Sequence, residues 1–165
     1  MSAPLATSAY EIVLAIHIMA VVAAFGVTFA YPIIFAVGVR ADPHTLPVLH
    51  RISVSIEKRL VNPLLVVVFG AGIYLASDGH HWSEFFVQWG IAVVIVIGGL
   101  VGAVMIPAGK RAEQLAARDI AAAGEGELEM SDEYGAVVRR VQIVGSLLSA
   151  LVLITILFMV IKPGS

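Results

Sequence analysis

Four long apolar segments, separated by polar connections, dominate the pattern of side chains along this chain. They cover residues 11–39, 60–77, 85–106 and 141–161. A helix needs about 20 mostly apolar residues to cross the hydrocarbon core of a membrane, and each segment is near or above that length. The pattern therefore predicts an all-α fold, an integral membrane bundle of four transmembrane helices in the lipid bilayer. A chain this short predicts a single domain, residues 1–165.

The three connections differ in kind. Residues 40–59 are polar, and their second half is predicted to extend the second helix. Residues 78–84 form a tight loop, which makes the second and third helices antiparallel neighbours. Residues 108–140 form a longer polar hairpin. Its Ala- and Arg-rich part, 110–123, predicts a helix, and the acidic, glycine-containing stretch 124–132 is predicted to be mobile.

The basic residues predict the orientation of the bundle. Nine of the ten Lys and Arg residues lie in the first and third connections, and only Lys162 lies on the other side. Because cytoplasmic loops of membrane proteins are rich in Lys and Arg, both long connections should be cytoplasmic and both termini outside. The nine are Arg40, Arg51, Lys58, Arg59, Lys110, Arg111, Arg118, Arg139 and Arg140.

Composition supports a membrane protein and excludes several functions. Hydrophobic residues make up 59% of the 165 residues and charged residues 13%, whereas soluble domains have about a quarter charged residues. The chain has no cysteine, which excludes disulfides and thiolate metal sites. The sequence has no stripe of basic residues, so it predicts no nucleic-acid partner. The first basic residue is Arg40, so we interpret the first apolar segment as a retained helix rather than a signal peptide.

Small residues at one-turn spacing predict where helices approach closely. In lipid, helices associate mainly through tight packing at such positions. The third segment has Gly98 and Gly102, and the fourth has Gly145 and Ser149. We interpret these pairs first as contacts inside the bundle. A homodimer or a larger membrane complex is the alternative.

His17 is the clearest candidate for a functional residue. An ionisable residue inside a membrane is costly to place, so it is a functional candidate by default. At helical spacing His17 shares a face with Thr28 and Tyr31, which gives a polar stripe along the first helix. Three roles remain open from the sequence: a hydrogen bond to a neighbouring helix, axial ligation of haem or a metal, and proton relay or solute gating.

Other polar residues give weaker signals. Gln142 and Ser149 lie on a polar face of the fourth segment, and Pro32 and Pro63 predict kinks because each removes one helical hydrogen bond.

Several charged and histidine side chains lie near the ends of the segments. Glu57 lies near the inner end of the second segment with Lys58 and Arg59, where an interfacial cluster of charges is favoured and a pair with Arg139 or Arg140 is the alternative. The adjacent His80 and His81 lie in the outer loop, on the same side as His17, and are candidates for a second ligand. No hydrolase, metalloprotease or nucleotide-binding motif occurs, so no catalytic residue is assigned.

Two stretches carry a resemblance to known membrane proteins. The first segment reads YEIVLAIHIMAVVAAFGVTFAYPIIF, and the chain closes on LFMVIKPGS. The layout resembles a family of bacterial predicted integral membrane proteins, a domain of unknown function. It is more distantly similar to copper-resistance-D-like proteins and to HemJ-type protoporphyrinogen oxidases. The resemblance implies a four-helix protein of the bacterial inner membrane.

The HemJ-type resemblance also bears on His17. In those enzymes the histidine of the first helix is a haem ligand, and His17 occupies the matching position. They also carry a lysine in the third helix, whereas this chain has no Lys or Arg between Arg59 and Lys110. The resemblance therefore implies haem binding without implying oxidase activity.

Three functional hypotheses follow from the sequence. The first is a membrane protein that binds haem or a related tetrapyrrole through His17. The second is a structural or accessory subunit of a membrane complex, in which His17 only bonds a neighbouring helix. The third is a small transporter or channel that uses the stripe of His17, Thr28 and Tyr31.

Overall fold

A computed structural model describes residues 8–163, and in this range the fold is all-α, without strands. Four long helices are apolar enough to cross a membrane, which confirms the predicted class of fold. They are Ala9–Ala41, Pro43–Asp78, Phe85–Ala123 and Asp132–Ile161. We refer to them as the first to the fourth long helix.

Shorter elements with regular geometry make up the long helices. The first contains α1 and α2, the second contains α3 and α4, the third contains α5 and α6, and the fourth is α7 alone. Their bounds are α1 Ala9–Gly26, α2 Tyr31–Ala41, α3 Leu46–Ile56, α4 Asn62–Asp78, α5 Phe85–Leu100, α6 Ile106–Ala123 and α7 Asp132–Ile161.

The second and third long helices are longer than a membrane requires. They contain 36 and 39 residues, which at 1.5 Å per residue is about 54 Å and about 58 Å. The hydrocarbon core is only about 30 Å thick. Their polar ends, α3 and α6, therefore extend beyond the apolar part. Both agree with the helices that the sequence predicts in the first and third connections.

Irregular turns interrupt three of the long helices just before prolines. A 3₁₀ turn, Val27–Ala30, precedes Pro32, and π-helical turns precede Pro63 and Pro107. Proline lacks the N–H that would bond the carbonyl four residues earlier, and its ring crowds that carbonyl. In the π-helical turns the N–H groups of Asn62 and Ile106 instead reach carbonyls five residues back.

These turns confirm irregular backbone at Pro32 and Pro63, the two positions that the sequence predicts. The third, before Pro107, was not predicted. The two π-helical turns span Glu57–Val61 and Val101–Met105.

Three groups of buried apolar side chains hold the helices together. The largest lies at the level of the apolar segments and includes Phe25, Leu65, Ile97 and Val152, one from each long helix. A second joins Leu46 of α3 to α6 and to Tyr134 of α7. The third lies near the 78–84 loop, around Phe86.

Charged residues fix the polar ends of the third and fourth long helices. Asp119 of α6 accepts hydrogen bonds from the backbone N–H and the hydroxyl of Ser131, at 2.9 and 2.7 Å. Arg118 bonds both Asp119 and Glu133, and Arg111 also pairs with Glu133. Ser131 is the N-cap of α7 and accepts from the Tyr134 N–H. The end of the stretch 124–132 is thereby tied to α6.

The candidate packing glycines divide into two classes. A Cβ added at Gly98 or Gly102 would meet nothing within 4 Å among the described residues, so these two do not pack inside the bundle as the sequence suggested. A contact between copies remains the other interpretation. A Cβ added at Gly145 would instead lie 3.7 Å from the Met105 side chain, in ordinary contact. The close approach that glycine makes possible occurs at Gly109, where an added Cβ would lie 2.7 Å from Val54.

We expect Gly109→Leu to destabilise the protein and the control Gly98→Leu to leave its stability nearly unchanged. A leucine at 109 has to force α3 and α6 apart, which costs about 1–3 kcal/mol in overpacked protein cores. A leucine at 98 enters open space. Thermal unfolding in detergent measures both. Equal melting temperatures for the two variants would contradict the contact between Gly109 and Val54.

Candidate functional site around His17

His17 lies on α1, eight residues after its start. The helix is fixed there by a capping box, in which the Ser8 hydroxyl accepts from the Glu11 N–H and the Glu11 carboxylate accepts from the Ser8 N–H. The Glu11 charge also suits the positive N-terminal end of a helix. His17 is thus positioned by a well-formed helix rather than by a loop.

The ring of His17 bonds the backbone of the second long helix. Its Nδ1 lies 3.0 Å from the carbonyl oxygen of Val68 in α4. A carbonyl can only accept, so Nδ1 carries the hydrogen and donates it. In the neutral ring the lone pair then lies on Nε2, for which the described residues offer no partner. This pattern, one ring nitrogen donating to a backbone carbonyl and the other free, is typical of histidines that ligate metals.

Gly72 makes room for this ring. A Cβ at Gly72 would lie 3.4 Å from Cε1 of His17 and 3.8 Å from Nδ1. The ring therefore packs against the backbone of α4, one turn beyond the carbonyl that it bonds. Since α1 and α4 pack along their length, both contacts follow from one helix pair.

The other members of the predicted stripe do not join His17 in one site. The Thr28 hydroxyl donates to the Phe25 carbonyl of its own helix at 2.7 Å, which is the usual role of a threonine in a membrane helix. The Tyr31 hydroxyl is buried and has no partner among the described residues. Gln142 is exposed and Ser149 half-buried on α7, and neither bonds the first long helix.

His80 and His81 lie beyond the end of α4 and have no described contact with His17. They follow Asp78, the last residue of α4, whereas the His17 ring bonds the Val68 carbonyl and packs against Gly72, six residues before Asp78. Six helical residues rise about 9 Å. A second ligand from one of these histidines stays a prediction. His80 lies near the Asp78 carbonyl, and His81 packs near Phe86.

Among residues 8–163 no group of three or more His, Cys, Asp or Glu side chains is placed to bind a metal ion. A bare zinc ion takes three or four protein ligands. Haem iron needs only one or two axial ligands, because the porphyrin supplies four nitrogens. The donor set around His17 therefore fits one axial bond to a metalloporphyrin and does not fit a bare ion.

Two features of the polar residues were missed from the sequence. Trp89 of α5 donates from Nε1 to the Thr155 hydroxyl of α7 at 3.0 Å, a link between the third and fourth long helices. Glu57, for which a pair with Arg139 or Arg140 is the alternative prediction, forms no ion pair with any described residue, and its Oε2 is buried without a partner. Both arginines are exposed. That predicted pairing is wrong.

Comparisons with known proteins find no match. No family model fits the chain, and no curated protein or solved structure is significantly similar to it. The function has to be argued from the residues themselves.

We expect Gly72→Leu to disrupt the contact between α1 and α4 at His17. The leucine side chain would occupy the position of the imidazole ring and displace Nδ1 from the Val68 carbonyl. Gly70→Leu is the matched control on the same helix, because a Cβ at Gly70 meets nothing within 4 Å. Thermal unfolding in detergent should show a lower melting temperature for Gly72→Leu alone. A melting temperature equal to that of Gly70→Leu would contradict the packing described here.

Proposed function

We propose that this chain is a small multi-pass protein of the bacterial inner membrane that binds haem or a related tetrapyrrole through His17. The observation that carries the proposal is the hydrogen bond from His17 Nδ1 to the Val68 carbonyl. It fixes the tautomer and the orientation of the ring, and it leaves the Nε2 lone pair for a metal. The resemblance of the first segment to the HemJ-type proteins supports the same role for His17.

The surroundings of His17 are compatible with a flat, apolar ligand. The ring is half-buried, and its neighbours along α1 include Leu14, Ile18 and Met19, which are exposed. A tetrapyrrole between the first long helix and lipid or a partner protein would bury such side chains. When bound, its iron would supply redox or ligand-binding chemistry. This chain would bind and orient the group through His17, Val68 and Gly72.

The proposal does not extend to an enzyme. No described polar cluster accompanies His17, and the lysine that HemJ-type oxidases carry in the third helix has no counterpart between Arg59 and Lys110. An isolated axial histidine binds a cofactor without supplying a general acid or base next to it.

An accessory subunit of a membrane complex is the second candidate. Gly98 and Gly102 form a surface with open space beside them, and Gln142 presents an exposed amide on α7. Small residues and amides are the groups that join helices in lipid. A second copy or another membrane protein could use this surface, with or without a cofactor at His17.

We expect the detergent-purified protein, expressed with added haem, to show a Soret absorbance band that His17→Ala abolishes. Loss of the imidazole removes the axial ligand that the proposal assigns. His80→Ala is the control and should keep the band, because His80 lies in the loop after α4 and its Nδ1 lies 3.2 Å from the Asp78 carbonyl oxygen. Wild-type protein that is folded and monodisperse but colourless would contradict haem binding and favour the accessory role.

The proposed orientation places both termini outside and the ends formed by α3 and α6 in the cytoplasm, as the distribution of Lys and Arg favours. We expect Ser83→Cys to react with an impermeant thiol reagent added to intact cells, and Glu125→Cys to react only after lysis. Both residues are exposed, and the chain has no other cysteine. The opposite labelling pattern would invert the orientation.

A further inference from the structure

Glu57 is a buried acid in an irregular part of the second long helix. It is 7% exposed and begins the π-helical turn Glu57–Val61. Its Oε2 is buried and has no hydrogen-bond partner among residues 8–163. The next two residues, Lys58 and Arg59, are exposed. The Glu57 side chain therefore points into the bundle, whereas the side chains of Lys58 and Arg59 point outward.

No cation neutralises this acid. The ion pairs of the described residues involve Asp42, Glu113, Asp119 and Glu133, but not Glu57. The adjacent Lys58 and Arg59 are exposed, and neither is among these ion pairs. An ionised carboxylate buried without a partner costs several kcal/mol or more, because burial removes its hydration.

The hydroxyl of Tyr31 is the second unpaired polar group at this place. Its oxygen is buried and has no partner among the described residues, and Glu57 lies close enough to act on it electrostatically. Tyr31 begins α2, directly after the 3₁₀ turn that precedes Pro32. Two irregular turns, each linked to a proline, therefore carry two unsatisfied polar groups, one on the first and one on the second long helix, within electrostatic reach of each other.

One proton bound to Glu57 would remove the buried charge and supply a hydrogen-bond donor. A neutral carboxylic acid has one O–H donor and a carbonyl acceptor, and a tyrosine hydroxyl can both accept and donate. With Glu57 protonated, the buried charge is gone and the pair of groups gains a second hydrogen-bond donor. With Glu57 ionised, a negative charge remains buried with at most one donor.

We propose that Glu57 and Tyr31 form a proton-binding site in the bundle, in which Glu57 is a carboxylic acid at neutral pH. The transfer is a plain acid–base step. Oε2 takes a proton from water at the level of Lys58 and Arg59 and returns it there, with no change of oxidation state. The site gives the membrane part of the protein a group that can gain or lose one charge. It does not depend on a cofactor at His17.

The other titratable and charged groups on the elements packed against this turn are engaged elsewhere or lie at a distance. His50 of α3 lies 3.1 Å from the Tyr134 hydroxyl, and Arg51 pairs with Glu113. On α1 and α4 such groups lie toward the opposite ends of those helices: Tyr10, Glu11, His17, Tyr74 and Asp78. On these elements no described cation is therefore placed to pair with the Glu57 carboxylate.

Infrared spectroscopy of the full chain in detergent tests the proposal. A protonated carboxylic acid has a carbonyl-stretch band separate from that of carboxylates, and it shifts in heavy water. We expect this band at neutral pH in the wild type and in the control Glu113→Gln, whose acid is ion-paired with Arg51. We expect it to be absent in Glu57→Gln. A wild type without the band, or a band that persists in Glu57→Gln, would overturn the proposal.

Tyr31→Phe tests the partner within the same experiment while Glu57 stays in place. Loss of the hydroxyl should shift the band of the Glu57 acid, because its hydrogen bonding changes. An unshifted band would remove Tyr31 from the site. The melting temperature gives an independent measure: it should fall as the pH rises in the wild type, and less so in Glu57→Gln, which keeps a neutral side chain. Parallel pH profiles for the two proteins would contradict a proton held by Glu57.

Discussion

The requirement that every backbone polar group in a membrane finds a partner within the protein shapes this structure most. Lipid offers no hydrogen bonds, so a spanning helix must satisfy its own carbonyls. Three prolines break that rule locally, and each is preceded by a 3₁₀ or π-helical turn. Such turns shift the side chains that follow relative to a regular helix. Irregular turns of this kind are frequent at functional sites.

The same requirement, extended to polar side chains, applies at two places in the bundle. At His17 it is met: the ring donates to the Val68 carbonyl, and Gly72 lets it lie against the helix backbone. At Glu57 and Tyr31 the two buried oxygens stay unpaired among the described residues. The proposed haem site uses the free lone pair of the first place, and the proposed proton site uses the unpaired oxygens of the second. They lie toward opposite ends of the helix pair formed by the first and second long helices.

The polar ends of the long helices serve a different purpose. Beyond the apolar segments α3, α6 and the start of α7 pack around Leu115 and Tyr134 and are joined by the ion pairs of Arg51, Arg111 and Arg118. Each exposed ion pair contributes little to stability, so the buried apolar contacts contribute most of the stability of this part. It holds the long helices in register at one end, whereas much of α7 is open on its other side, with 6% of its most apolar stretch buried.

The sequence by itself determined the class of fold, because about 20 apolar residues in a row have few stable alternatives to a spanning helix. It also identified His17 and the prolines, since each is costly in a membrane helix. The sequence did not determine which residues of different helices touch each other. Two outcomes depend on how the helices rotate and cross. One is which glycines pack, Gly109 rather than Gly98. The other is whether Glu57 is buried or pairs with an arginine such as Arg139. Only the tertiary structure decides that, because lipid-facing and protein-facing surfaces of such helices are equally apolar.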